Sequence, residues 1–343
     1  MKFTVLHGKK YDLTHFKHPG GETPIWQAYG RDATTLFESY HPFVSKEKLN
    51  AILKKYYVGK EEKKEESVVA TTFVYDTEFS RDLKSSVRSY FEELSERRNI
   101  TLSQAVKPTW GRTALLVGLF FIYILGMWTH FKGYWCAMVL CPVLTWIQGV
   151  NMFHDAAHFS LSSYHWINSF FANSCIEFSQ TLDWYHEHNI GHHCETNIAH
   201  RDPDLYHGTQ SLRYHPTVKW KKRHSGQTTT PNVYSIITMH WSLSWLGLIF
   251  INAYKMMKSH VYNRCVPLMA NYLTCVDIAT YLFLKLLYIG VYIVWPFMVF
   301  DSRTFAVAYI LFSRGLYSGL FMLNTQISHI HAECMPETSE LKD

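Results

Sequence analysis

Cysteine is scarce and unpatterned in this chain of 343 residues: there are seven, an odd number without regular spacing, and Cys136, Cys141, Cys175 and Cys275 stand in apolar stretches. A disulfide scaffold is thereby excluded, and the cysteines read as reduced packing residues. The chain also lacks a glycine loop that could cradle phosphate, an internal repeat and any nucleic-acid motif, so no nucleic-acid partner is expected. Its start, Met1-Lys2-Phe3-Thr4-Val5, carries no sustained apolar region, hence no cleavable signal peptide, and the N-terminus is expected to stay cytosolic. Charge is low overall, at 18% of residues against 48% hydrophobic, with a net charge of +5. The mean hydropathy of -0.10 conceals segregation. Residues 1–112 and 200–232 are polar and charged, whereas long apolar runs lie elsewhere.

Histidine is what the chain has in quantity. Seven of its 20 histidines fall into three short clusters, each just past the end of an apolar stretch: His154-Asp155-Ala156-Ala157-His158, His188-Asn189-Ile190-Gly191-His192-His193, and Gln326-Ile327-Ser328-His329-Ile330-His331. Neutral imidazole is the commonest metal ligand, and histidines four apart on a helix share a face, so each of the first two clusters can aim nitrogens at one point. Cysteine is nearly absent from the clusters, and no carboxylate recurs with them at the spacing of a carboxylate-bridged bundle, so zinc ribbons and ferritin-like sites fit poorly. A histidine-rich two-iron site on the rim of a membrane domain fits better. For an isolated histidine outside the clusters, a surface or satisfied core role is the simpler reading.

Four apolar runs have spanning length, at about 113–129, 134–153, 276–300 and 304–323. All three clusters must reach one metal site and so lie on one side of the bilayer, which requires an even number of crossings between them. Tyr234 to Ala253 would make that number odd, and its His240, Ser242, Ser244 and tryptophans predict a segment lying in the interface or re-entering. Arg213, Lys219, Lys221, Lys222 and Arg223 fall on the cluster side, as the positive-inside rule demands, so both termini are expected in the cytosol. The run Glu61-Glu62-Lys63-Lys64-Glu65-Glu66-Ser67 reads as a solvated linker over residues 61–72. From Tyr75 to Arg97, Phe79, Leu83, Val87, Tyr90 and Leu94 recur every three or four residues, predicting an amphipathic helix suited to a membrane surface.

A second signal opens the chain. Tyr11-Asp12-Leu13-Thr14-His15-Phe16 precedes His18-Pro19-Gly20-Gly21-Glu22, and Gly30-Arg31-Asp32-Ala33-Thr34, Phe37 and Tyr40-His41-Pro42 follow, with His41 23 residues beyond His18. This stretch resembles the cytochrome b5 haem-binding domain, over about residues 3–60, which implies a haem domain over 1–60 with His18 and His41 as the axial ligands of a haem b. Pro19 and the paired glycines turn the chain so that His18 can point inward, and Phe37 offers an apolar wall. A bis-imidazole iron has no open position, which suits electron transfer.

Read together, the two modules resemble the cytochrome b5-fusion fatty acid desaturases of the front-end type, over essentially the whole chain. Trp184, Thr196-Asn197, Asp202-Pro203-Asp204-Leu205 and Gln326 at the head of the third cluster are further marks of the resemblance. Two departures stand against it: Ile330 takes the place of the histidine that usually follows His329, with His331 one step later, and the chain ends at Asp343, earlier than the family implies. The fold implied is a small α+β haem domain joined to an all-α integral membrane domain over 73–343, with four transmembrane helices, interfacial helices and a cytosolic histidine-rich di-iron cap. The implied activity is O2-dependent desaturation of a lipid acyl chain within the membrane, most simply that of the endoplasmic reticulum. Electrons would come from NADH through cytochrome b5 reductase and the fused haem to two non-haem irons. The resemblance implies His154, His158, His188, His192, His193 and His329 as ligands, with Gln326 and His331 beside them and His186 and His200 as additional candidates; Asp155, Asn189 and Asp204 would orient them. Three alternatives stay open: a sphingolipid desaturase, a cytochrome b5-fused lipid hydroxylase, and a truncated haem-bearing membrane protein without iron chemistry.

Overall fold

The computed structural model describes residues 2–60, 74–176, 181–198, 202–206, 213, 219–227, 261–262, 266–267 and 273–329. The linker expected at 61–72, the segment Tyr234 to Ala253, His200 and His331 lie outside the described residues, as do the side chains of Gln326 and His329. Two compact units divide the chain: Met1–Pro108 with Ser162–His165, and Thr109–Leu161 with Trp166–Asp343.

In the first unit β1 (Phe3–Leu6), β2 (Lys9–Asp12) and β3 (Tyr57–Lys60) form an antiparallel sheet in that order. The β1–β2 turn places His7 at φ 51° and Gly8 at φ 70°, the paired left-handed conformation of a tight two-residue hairpin. Three short helices follow β2: α1 (Glu22–Trp26), α2 (Thr34–Tyr40) and α3 (Lys46–Leu53). Val5, Leu6, Tyr11, Leu13, Ile25, Tyr29 and Leu36 are buried beneath them. The sequence reading groups the amphipathic helix with the membrane part, but α4 (Glu78–Arg98) belongs to this first unit. The reason is polar as well as apolar: Lys84 Nζ lies 3.1 Å from Glu38 on α2, Arg88 donates to the Phe43 carbonyl at 3.3 Å, and Phe43 meets Phe91 edge-on. Its other stripe, Phe79, Leu83, Val87 and Tyr90, stays exposed. Thr77 caps the helix start, and Asn99 ends it in the left-handed conformation.

In the second unit, four helices among the described residues are long and apolar enough to cross a membrane: Trp110–Phe131, Ala137–Ala157, Cys275–Val299 and Arg303–Phe321. The last continues helically to His329. The first two spans meet closely where a Cβ on Gly126 would fall 2.6 Å from Leu144, and they are joined at Gly133, whose φ of +69° and close approach to Val299 admit only glycine. Polar groups inside the bundle are matched to one another. The His130 ring nitrogens lie 2.7 Å from the Tyr309 hydroxyl and 2.9 Å from the Val291 carbonyl, and the Arg314 guanidinium covers the Tyr292 ring at 4.2 Å. Val291 sits in a π-turn, Gly290–Val294, a geometry that frees backbone carbonyls for such partners.

One ion pair ties the helix ahead of the second histidine cluster to the third span: Lys285 Nζ lies 3.3 Å from Asp183 Oδ2, with both residues buried. Burial holds the Asp183 carboxyl above its ordinary value even with Lys285 beside it. Removing one member of a buried pair leaves the other charge uncompensated, at roughly 3–5 kcal/mol. Lys285→Ala is therefore expected to lower the melting temperature of the detergent-solubilised protein sharply, while the paired apolar replacement Lys285→Met with Asp183→Leu restores most of it. Equal melting temperatures for Lys285→Ala and wild type would mean the pair is solvated.

Candidate metal and haem centres

The first histidine cluster ends the second span. That helix passes through a π-turn, Gly149–Phe153, before His154–Ala157 resumes α geometry and His158 caps it. Arg112, at the start of the first span, steadies this end by donating to Asn151 Oδ1 at 2.8 Å and lying 3.8 Å from Asp155. The second cluster lies on another π-turn, Tyr185–His192. Four-residue spacing shares a face in an α-helix, but in a π-turn the hydrogen bond spans five residues and the fifth residue comes round instead. His188 therefore pairs with His193, their Nε2 atoms 3.0 Å apart, and His188 Nε2 also lies 3.3 Å from His154 Nε2. Asn189 locks the two helices together by donating to the Ala157 carbonyl at 3.0 Å, and Trp184 lies along the His188 ring with centroids 4.1 Å apart.

One ligand nitrogen from each of His154, His158, His188 and His193 falls within 4.8 Å of all the others. Nitrogens bound about 2.1 Å from one metal stand roughly 3–4 Å apart, and the 3.0 and 3.3 Å separations of His188 Nε2 from His193 Nε2 and His154 Nε2 fit a shared cation. The electrostatics fit too. Burial, and after it the neighbouring His154, His193 and His192, pushes His158 down to about 2, and burial followed by His193, His158 and His154 holds His188 well below its ordinary value. Both are neutral at pH 7, with lone pairs available to a metal.

His192 stands apart from that set. Its Nδ1 faces the carboxylate of Asp202, 3.0 Å from Oδ1 and 2.9 Å from Oδ2, with Asp204 Oδ2 at 3.6 Å. Burial pulls this imidazole down, but the Asp202 hydrogen bond and the charges of Asp204 and Asp202 outweigh it, and its affinity for a proton is raised. The sequence reading names Asp202 only as part of the Asp202-Pro203-Asp204-Leu205 stretch and gives it no role beside a metal. His186 is buried, with Nδ1 2.8 Å from the Leu182 carbonyl of its own helix, outside both groups. Gln326 and His329 lie on the helical continuation of the fourth span.

In the first unit the His18 and His41 rings face each other with centroids 5.9 Å apart and planes at 87°, a gap suited to an iron bound by both imidazoles. Phe37 lies 4.7 Å from the His41 ring, and His41 Nδ1 stands 2.8 Å from the Phe37 carbonyl, which leaves Nε2 for a metal. A Cβ on Gly20 would fall 2.8 Å from His18 Cε1, and Gly21 has φ +89°, so both positions require glycine. Burial, then the nearby His41, lowers the proton affinity of His18.

Residues 2–62 match the family described as Cytochrome b5-like Heme/Steroid binding domain, and residues 132–340 match the family described as Fatty acid desaturase. Among similar curated proteins, the Delta(5) fatty acid desaturase A of Dictyostelium discoideum is 28% identical over 341 residues, covering 96% of this chain and 68% of the relative. The Acyl-lipid (8-3)-desaturase of Mortierella alpina is 30% identical over 260 residues, covering 72% of this chain and 56% of the relative. The Acyl-lipid omega-13 desaturase of Chlamydomonas reinhardtii is 24% identical over 378 residues, covering 99% of this chain and 76% of the relative. The chain thus spans roughly two thirds of the length of the curated relatives it matches. No solved structure matches it.

Proposed function

Because the chain belongs to the fatty acid desaturase family and carries a cytochrome b5-like haem domain ahead of four apolar helices, we propose that it introduces a double bond into the acyl chain of a membrane lipid, as a front-end desaturase. The observation that carries the reading is the convergence of His154, His158, His188 and His193 on one point at the end of the second span. Those four would hold one iron. His192 would serve a second, together with the third cluster, where His329, Gln326 and His331 are the candidates. Iron bound there supplies activation of O2 and removal of hydrogen from neighbouring methylenes, chemistry that no side chain can perform.

The chain's own residues do the rest. His18 and His41 would hold haem b, a bis-imidazole centre that passes electrons and does not bind oxygen. NADH would feed it through a cytochrome b5 reductase. Trp184 against His188 and Asn189 on the Ala157 carbonyl keep the ligand helices in register, and the neutral state of His158 and His188 keeps protons from competing with the metal. The relatives' names point to acyl groups carried as lipids, the substrate class proposed here. With both termini on the cytosolic side, most simply of the endoplasmic reticulum, the haem and the irons share one compartment.

Iron quantification on the purified full-length protein, paired with product analysis in a host lacking desaturases, tests the proposal. Two non-haem irons for each haem and a new cis-unsaturated fatty acid are expected. A haem spectrum with no non-haem iron would leave only an electron carrier, and a hydroxylated product would assign the chemistry to a hydroxylase.

A further inference from the structure

We infer that Asp202 is a positioning residue for the second iron: it selects the His192 tautomer whose Nε2 can bind metal. The inference rests on the di-iron reading above. Asp202 is fully buried and His192 nearly so. Its two oxygens lie 3.0 and 2.9 Å from His192 Nδ1, close enough for a full hydrogen bond, whereas Asp204 stands back at 3.6 Å. An ionised carboxylate only accepts, so Nδ1 must carry the hydrogen and the lone pair is left on Nε2. A buried imidazole without that acceptor is free to take the opposite tautomer, in which Nε2 bears a hydrogen and cannot ligate.

The carboxylate is itself held by backbone. The Asn197 amide donates to Oδ2 at 2.8 Å, the Asp204 amide donates to Oδ1 at 2.9 Å, and the Asp202 amide donates to the Ile198 carbonyl at 3.0 Å. His192, Asp202 and Asp204 could be read instead as a separate three-ligand cation site. Both Asp202 oxygens, however, are already engaged with the Nδ1 and the two amides, which is the arrangement of an orienting group behind a ligand. The bland alternative is that Asp202 merely staples Asn197, Ile198 and Asp204 together. The two roles part on metal binding: loss of an orienting partner weakens metal affinity by roughly 10–100-fold, while a staple affects the fold as a whole.

Anaerobic titration of the full-length, haem-loaded protein with ferrous ion, followed by Mössbauer spectroscopy of iron-57, separates them. Wild type is expected to take two non-haem irons per haem. Asp202→Asn should keep the first with unchanged affinity and bind the second roughly 10–100-fold more weakly. Asp202→Glu should fall between Asn and wild type. Unchanged second-iron affinity in Asp202→Asn overturns the inference, as does parallel loss of both irons in the Asn and Glu variants, which marks a staple. If Asp202→Asn does not accumulate as haem-loaded protein, Asp202→Glu decides: selective weakening of the second iron supports the inference, and unchanged binding overturns it. Wild type devoid of non-haem iron overturns the functional reading and this inference together, whereas two irons held equally by wild type and Asp202→Asn overturns the inference alone.

Discussion

His188→Ala is expected to reduce product formation below detection while leaving the haem spectrum and membrane insertion intact. His188 is the hub of the candidate centre: its Nε2 lies 3.0 Å from that of His193 and 3.3 Å from that of His154, and its ring stands 5.1 Å from the His158 ring. Alanine removes the central ligand and opens a space beside Trp184 that water can enter, so the remaining imidazoles no longer enclose a dry cation site. The haem pair lies in the other compact unit, which is why its spectrum serves as the internal control. Gas chromatography of cellular fatty acids, alongside reduced-minus-oxidised spectra of the same membranes, checks both halves. Activity within a few-fold of wild type would remove His188 from the metal site.

The second large effect concerns electron supply. His41→Ala is expected to abolish the bis-histidine absorption spectrum and, with it, NADH-driven desaturation, while non-haem iron content stays at the wild-type level. The Phe37 carbonyl behind His41 engages its Nδ1 and leaves Nε2 for an iron between the two rings, whose centroids are 5.9 Å apart. Removing one leaves iron with an open position, and a haem so held binds small ligands instead of cycling as an electron carrier. Retention of the six-coordinate spectrum in the variant would show that His41 is not an axial ligand; retention of NADH-driven product without it would show that a separate carrier feeds the irons.

Much of this molecule is written in local pattern. Four apolar runs of spanning length need no tertiary information to be read, because the hydrocarbon core imposes their length, and four helices of that kind are present among the described residues. The stretch from Tyr11 to Pro42 is similarly legible, since a tight glycine turn and a second histidine leave few other uses, and residues 2–62 match the haem-domain family. The amphipathic repeat from Phe79 to Leu94 forms the expected helix, but its placement in the first unit depends on Lys84 reaching the Glu38 carboxylate and Arg88 the Phe43 carbonyl, groups some 45 residues distant for which no local rule exists.

The histidine clusters divide the same way. Residue type and spacing by themselves determined that imidazoles would gather at the span ends, because histidine so concentrated has few roles besides binding a cation. Only the tertiary structure decided which of them meet. A spacing of four assumes an α-helix, and the switch to a π-turn over Tyr185–His192 is a matter of backbone hydrogen bonding that the side-chain pattern does not encode. That switch turns His193 toward His188 and leaves His192 facing Asp202, ten residues further on, whose carboxylate the Asn197 and Asp204 amides hold in place.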